Sequence, residues 1–348
     1  MRKEKRPDRN LRMPAKTAIV LFASIVLAVI YGCKEPQGRL RLLGKSSVED
    51  LRPQALAIIE QALGDPDPQM RAKAVEAVAA TSQKQFMPKV QNLLGDDYVP
   101  VRFLAALAVG DMEYYLAKGA AQRLFKVADE NTKIAAAYAL YRLGDEQYLG
   151  PIRQAVHSSD QTVRANAVML LGKAGDNSVL ELLYWAKNDD DSEPKVRYQA
   201  AEAIAKLGDE TIMPKLWTLL VSKFVENKII GIRAMAALGT VDAKEALITK
   251  LDDDILEVRL TAAEQLAVLG DNSGEEVALA VFDQQLTAGM DQPSEERVMV
   301  LTALAIGRIG TPKLTRYLPK LMQSDSPVVR LAAAEAVLHA AARLNKRL

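Results

Sequence analysis

Between positions 48 and 345 the apolar residues recur on a long period. Take Arg164 as an origin: Val163 precedes it, Ala167 and Val168 follow at offsets three and four, Leu170 and Leu171 at six and seven, and Gly175-Asp176 closes the string. The same string returns around Arg71, Arg102, Lys133, Arg197, Lys228, Arg259, Met299 and Arg330, at successive spacings of 31, 31, 31, 33, 31, 31, 40 and 31 residues. Offsets −1, 3, 7 and 10 are apolar, as Val163, Ala167, Leu171 and Ala174 show, and that rhythm is one face of an α-helix. A period near 31 residues holds two short helices and two turns. The pattern therefore predicts about nine helical hairpins stacked as an all-α superhelix, a solenoid over residues 48–348 in which each hairpin covers its neighbour's apolar side.

The ends of the elements are marked in the same register. Gly144-Asp145, Gly175-Asp176, Gly208-Asp209 and Gly270-Asp271 put a glycine where a helix exit needs positive φ and an aspartate where the next element needs a cap. A first helix is then expected, as over residues 209–222 with Leu216, Trp217, Leu219 and Leu220. Asp67, Asp129, Asp160, Glu193 and Glu295 stand four before the repeat's origin, which is basic in eight of nine units. One reading of that ladder is a row of binding charges; the other, which tracks the helix starts, is capping and ion pairing between units. Around Thr287 to Ser294 the eighth unit carries nine extra residues, either a drifted insertion or a recognition loop.

Composition sharpens the picture. With 49% hydrophobic but only 5% aromatic residues, the interior is alanine-rich and suits helices packed at close range. The net charge of +1 is uneven, because residues 1–32 hold seven Lys/Arg against two Asp/Glu, so the rest is near −4. A mildly acidic body speaks against a nucleic-acid partner. Cys33 is the single cysteine, and with only His157 and His339 beside it no usual four-ligand zinc site is expected. The acidic runs Asp189-Asp190-Asp191 and Asp252-Asp253-Asp254 lack the spaced calcium-loop signature and read as caps. No nucleophile elbow or phosphate loop is present, so neither catalytic residues nor a cofactor is predicted.

Arg2, Lys3, Lys5, Arg6, Arg9, Arg12 and Lys16 precede a charge-free stretch of fifteen residues, Thr17 to Tyr31, short for a membrane span and shaped like a secretory signal. It ends in Ile30-Tyr31-Gly32-Cys33, which resembles the lipobox of bacterial lipoproteins. That resemblance implies a signal peptide over 1–32, lipid on Cys33 at the start of a short tether over 33–47, and a place in the bacterial cell envelope, at the outer membrane or periplasmic face. A signal anchor that is kept and ordinary signal-peptidase cleavage are the alternatives.

The repeat itself, with Glu193, Val196, Arg197, Ala200, Ala201, Ala203, Ile204, Gly208 and Asp209, resembles the PBS-lyase type of HEAT-like repeat, over roughly residues 48–343. In solenoids of that kind the second helices line the concave wall. Offset five should face outward there and reads Glu76, Leu107, Tyr138, Met169, Glu202, Arg233, Glu264, Leu304 and Glu335. Leu107, Tyr138 and Met169, edged by Phe103, Tyr141 and Tyr198, suggest an apolar groove for a protein partner; packing against neighbouring helices is the equal alternative. The expected function is a membrane-anchored, non-catalytic interaction scaffold that binds its partner on the concave face. The alternative, carried by the resemblance alone, is an enzyme or enzyme subunit of the bilin-lyase-like HEAT family.

Overall fold

Short helices dominate because the sequence stops each one on schedule. The computed structural model describes residues 48–127 and 129–345, which lie within one compact unit, Ser46–Leu348. The predicted signal peptide, Cys33 and the tether fall outside the described residues. Helices occupying the inner layer are α2 (Pro68–Ala80), α4 (Val99–Asp111), α6 (Glu130–Arg142), α8 (Gln161–Ala174), α10 (Pro194–Lys206), α12 (Val225–Leu238), α14 (Leu256–Val268), α16 (Gln292–Ile309) and α19 (Pro327–Asn345). The outer layer holds α1 (Val48–Ala62), α3 (Met87–Asn92), α5 (Lys118–Val127), α7 (Leu149–Ala155), α9 (Leu180–Asn188), α11 (Met213–Leu220), α13 (Val241–Thr249), α15 (Glu275–Asp283), and the pair α17 (Pro312–Thr315) and α18 (Leu318–Leu321). Among the described residues this makes nine hairpins in the register of the repeat, all helical and without strands.

Local chemistry sets these boundaries. Asp67, Asp129, Asp160 and Asp291 accept backbone N–H bonds at the starts of α2, α6, α8 and α16, while Gly175 and Gly239 end α8 and α12 at φ of 78° and 68°. The outer helices are shorter than the sequence suggests. Residues 209–222, expected as one helix, begin with a 3₁₀ turn at Glu210–Ile212 and leave only Met213–Leu220 as α-helix. Part of the insertion in the eighth unit extends the N-terminus of α16, and the remainder is a turn around Gly289 at φ of 82°.

The core is continuous between the layers and built from Ala, Val, Leu and Ile. Successive inner helices approach most closely where offset eight of one unit meets offset six of the next. A Cβ on Gly172 would lie 2.6 Å from Ala203 Cβ, and one on Gly307 would lie 2.5 Å from Ala336 Cα. Inner contacts this tight, with bulkier leucine, tyrosine and tryptophan side chains in the outer layer, wedge each unit against the next. Nine such units turn through a full circle at ~40° each. Helix α1 packs along α19, α19 also meets α2, and every inner helix touches its successor, so the solenoid closes into a ring. The seam buries Val48, Leu51, Ala55, Ile59 and Ala62, one face of α1. The concave wall expected of the second helices is the lining of a lumen.

Candidate functional site

Nine inner helices set ~9 Å apart make a ring of about 13 Å mean radius, which leaves a lumen of about 8 Å radius before side chains are added. The offset-five residues approach this lumen unequally. Leu107 is buried, and Tyr138 is fully buried, its ring lying over Gly110 and its hydroxyl donating to Asp111 Oδ1 at 2.6 Å. Burial beside the Asp111 carboxylate pushes that phenol well above the ordinary tyrosine range. Lys173 of α8 reaches over α6 to Asp111 at 3.0 Å and helps to close the region. Phe103, Tyr141, Met169 and Tyr198 are half-buried and pack against the core. The expected exposed groove is therefore corrected. A glycine at offset eight of the preceding unit gives the Tyr138 ring a seat in the helix interface, leaving Leu107 and Tyr138 unavailable to a partner.

The other part of the column is charged. Glu202 is nearly buried between Gln199 Nε2 at 2.9 Å and Lys206 Nζ at 2.6 Å. Glu76 and Arg233 are open to solvent, whereas Glu264 and Glu335 are half-buried. Arg233, from the sixth unit, acts electrostatically on Glu76 of the first and Glu264 of the seventh, and Glu335 of the ninth acts on both glutamates. Charges on units far apart in sequence reach one another, so the lumen is narrow. Burial lifts the Glu264 carboxyl above the usual carboxylate range, Arg308 and Arg233 oppose the rise, and Glu335 adds to it. Glu76 is lifted by the same cause, against the pull of Lys73. Its exposed surface and its burial are compatible, since a side chain in a wet lumen touches water while being surrounded by protein.

His339 stands beside Glu335 of this cluster. Its Nε2 is buried, has no hydrogen-bond partner among the described residues, and lies 3.4 Å from Glu335 Oε1 one turn earlier on α19. Glu335 belongs to the offset-five column and His339 follows it by four, so the pair was readable from helical spacing. His157 is elsewhere, 4.3 Å from the Trp185 ring. A carboxyl that holds its proton upward in pH, a Glu–His pair and two arginines make an arrangement that can bind a polar group and move a proton. Among the described residues no group of three or more His, Cys, Asp or Glu side chains is placed to hold a metal ion.

The basic ladder, by contrast, is structural. Arg71 binds Asp96 through Nε at 2.7 Å and Nη2 at 2.8 Å, and its Nη1 donates to the carbonyls of Asp65 and Pro66. Arg102 with Asp129, Arg164 with Asp189, and Lys228 with Asp253 repeat the link to the next unit. Each of these cations bridges two units. Asp189 and Asp253, members of the two acidic runs, are thus ion-pair partners in the ladder.

A HEAT-repeat family profile matches residues 117–205, 149–233 and 185–267, and the chain carries HEAT repeats across that span. By sequence the chain is similar to the uncharacterized phycocyanin operon protein Z of Pseudanabaena tenuis (strain PCC 7409), 24% identical over 144 residues, which cover 41% of this chain and 71% of that one. Among solved structures, human deoxyhypusine hydroxylase in complex with glycerol is similar at 18% identity and a TM-score of 0.38, over 76% of this chain and 99% of that one. The CpcE–CpcF complex of phycocyanin lyase from Nostoc sp. PCC7120 is similar at 16% identity and a TM-score of 0.37, over 72% and 94%. The relative by sequence carries the name of a phycocyanin operon, which corrects the expectation of a non-catalytic scaffold and favours the enzyme-like alternative.

Proposed function

We propose that the chain is an enzyme, or a subunit of one, of the bilin-lyase-like HEAT kind, with the ring lumen as its reactive region. The observation that carries the proposal is Glu335, which acts electrostatically on Glu264 and lies 3.4 Å from His339 Nε2. Making or breaking a bond to an open-chain tetrapyrrole requires a group that yields a proton and one that accepts it. Glu264, whose proton is held by burial, supplies the first. His339, one turn from Glu335, supplies the second. Arg233 and Arg308 offer positive charge to a carboxylate on the ligand. The similarity to the phycocyanin operon protein and the repeat's resemblance to the PBS-lyase type support this choice of ligand class. The lyase match is a complex of two chains, which supports a protein partner as well.

The test is a titration of the full chain with biliverdin as a linear tetrapyrrole probe, read by visible absorbance. The proposal expects a saturable spectral shift that is weakened in Glu264→Gln and His339→Gln. Absence of any shift at saturating probe overturns it.

Lipid on Cys33 and a place in the bacterial envelope are a second, separate proposal, supported by the basic segment, the apolar stretch and Ile30-Tyr31-Gly32-Cys33. No helix among the described residues is long and apolar enough to cross a membrane. Intact mass measurement of the mature protein tests the lipid: acylation starting at Cys33 supports it, and an unmodified cysteine or an uncleaved chain contradicts it. Acylation would also place any bilin chemistry outside the cytoplasm, which makes the substrate a carrier other than a cytoplasmic phycobiliprotein.

A further inference from the structure

Among the described residues Lys133, Arg197 and Arg259 have no ion pair to the next unit, and of the two arginines only Arg259 keeps its carbonyl bond, to Asp253. Where Arg71, Arg164 and Lys228 find an aspartate 25 residues on, Arg197 finds Ser222. The Ser222 hydroxyl is occupied by the Phe224 N–H at 3.2 Å and Asn227 Nδ2 at 3.0 Å. Gln161 takes the carbonyl of Asp191, six residues before Arg197, which in other units serves the ladder arginine. The Arg197 guanidinium consequently has no hydrogen bond and no ion pair among the described residues.

Two more cations face the same space. Lys187, from the end of α9, and Lys215, from α11, line with Arg197, Tyr198 and Asn188 a cleft of about 400 Å³. All three cations and Tyr198 are half-buried. Lys215 Nζ sits 5.5 Å from the centre of the Tyr198 ring, and the one hydrogen bond of Lys187 goes to the neutral amide of Asn188 at 2.6 Å. Among the described residues no carboxylate lines the cleft. Burial draws the Lys187 ammonium below the ordinary lysine range, and the charge of Lys215 draws it further. Like charges gathered in a half-buried cleft are unfavourable unless something of opposite sign enters.

We propose that Lys187, Arg197 and Lys215 form a binding site for a small anion of the phosphate class, seated against Tyr198. The planar guanidinium presents two parallel N–H groups to two oxygens, and the lysines add point charges on either side. The chemistry fits a free phosphate, a phosphate ester and a lipid phosphate alike. The inference is independent of the lumen and of the bilin proposal.

Isothermal titration of the full chain at low salt with inorganic phosphate, pyrophosphate and a phosphate monoester tests the site. Pyrophosphate should bind with a dissociation constant near or below about 100 μM and weaken steadily as salt is added. Arg197→Gln and Lys215→Gln should each weaken it about tenfold, and the double variant should abolish it. Lys320→Gln, in a different cleft, should leave it unchanged. Because Arg197 has no partner to lose, Arg197→Gln should also leave the melting temperature unaltered in the absence of anions, so lost binding is not lost folding. Co-sedimentation with phosphatidylglycerol vesicles, if stronger than with neutral vesicles and dependent on the same residues, assigns the phosphate to a lipid. Failure of every probe to bind at millimolar concentration, or equal affinity in the double variant, overturns the site.

Discussion

Gly172→Ala separates a ring from an open stack by the sign of its effect. In an unconstrained helix the change should stabilise, because alanine exceeds glycine by about 1 kcal/mol in helix propensity. Here the added methyl would meet Ala203 Cβ at 2.6 Å and Ala203 Cα at 2.7 Å. Comfortable carbon contacts are about 3.5–4.0 Å, so α8 and α10 must separate by ~1 Å. An open solenoid would absorb that by a slight change of curvature. In the ring, widening one joint compresses the others or strains the seam, and such overpacking costs about 1–3 kcal/mol. The net expectation is a loss of up to about 2 kcal/mol, which for a body of this size lowers the melting temperature by up to about 6 °C. Calorimetry of the two proteins side by side measures it. A melting temperature raised by the substitution would refute the reasoning.

Further consequences follow from the ladder and the lumen. Asp96→Ala should cost about 3 kcal/mol, because it leaves Arg71 unpaired in a half-buried site and removes the acceptor of the Tyr98 N–H; denaturant unfolding reads the loss. The Asp271 carboxyl is held at about 2 by Lys244 and Ser273, below its unfolded value, so its stabilising share is complete above pH ~4 and is lost as pH falls toward 2. Lys244→Ala should flatten that decline in melting temperature. Glu264 has the opposite sign: its folded carboxyl is raised, so its favourable share is present at low pH and lost as pH rises above the unfolded value. Glu264→Gln should therefore gain melting temperature relative to the parent as pH climbs from 4 to 8, and an equal difference at both ends would contradict the assignment.

The hairpins, their register and most of their caps were legible because they depend on neighbours within one unit. Gly175, Asp160 and the small residue at offset three act locally, and the string around Arg164 repeats them. The pairing of ladder cations with acids of the next unit was legible in kind, though its spacing of 25 residues to Asp96, Asp189 and Asp253 was not. Ring closure left no local mark. It is the sum of nine small wedge angles, and its seam joins α1 to a helix nearly three hundred residues away. The groove around Leu107 and Tyr138 failed for a related reason, since the outward-looking offset of one helix is decided by the size of offset eight on its neighbour. Gly110 was the available signal. His339 stands alone as a histidine in its unit, while its meaning comes from Glu335 one turn away.

The closed ring is the premise on which the narrow lumen and its shared electrostatics rest, and native-state hydrogen exchange tests it most directly. Terminal repeats of an open stack fray and exchange first. In the ring, α1 and α19 cover each other, so amides in residues 48–62 and 327–345 should be protected to the same degree as those of α8 in the middle of the chain. Fast exchange of both terminal helices, with α8 still protected, would contradict closure and the lumen with it.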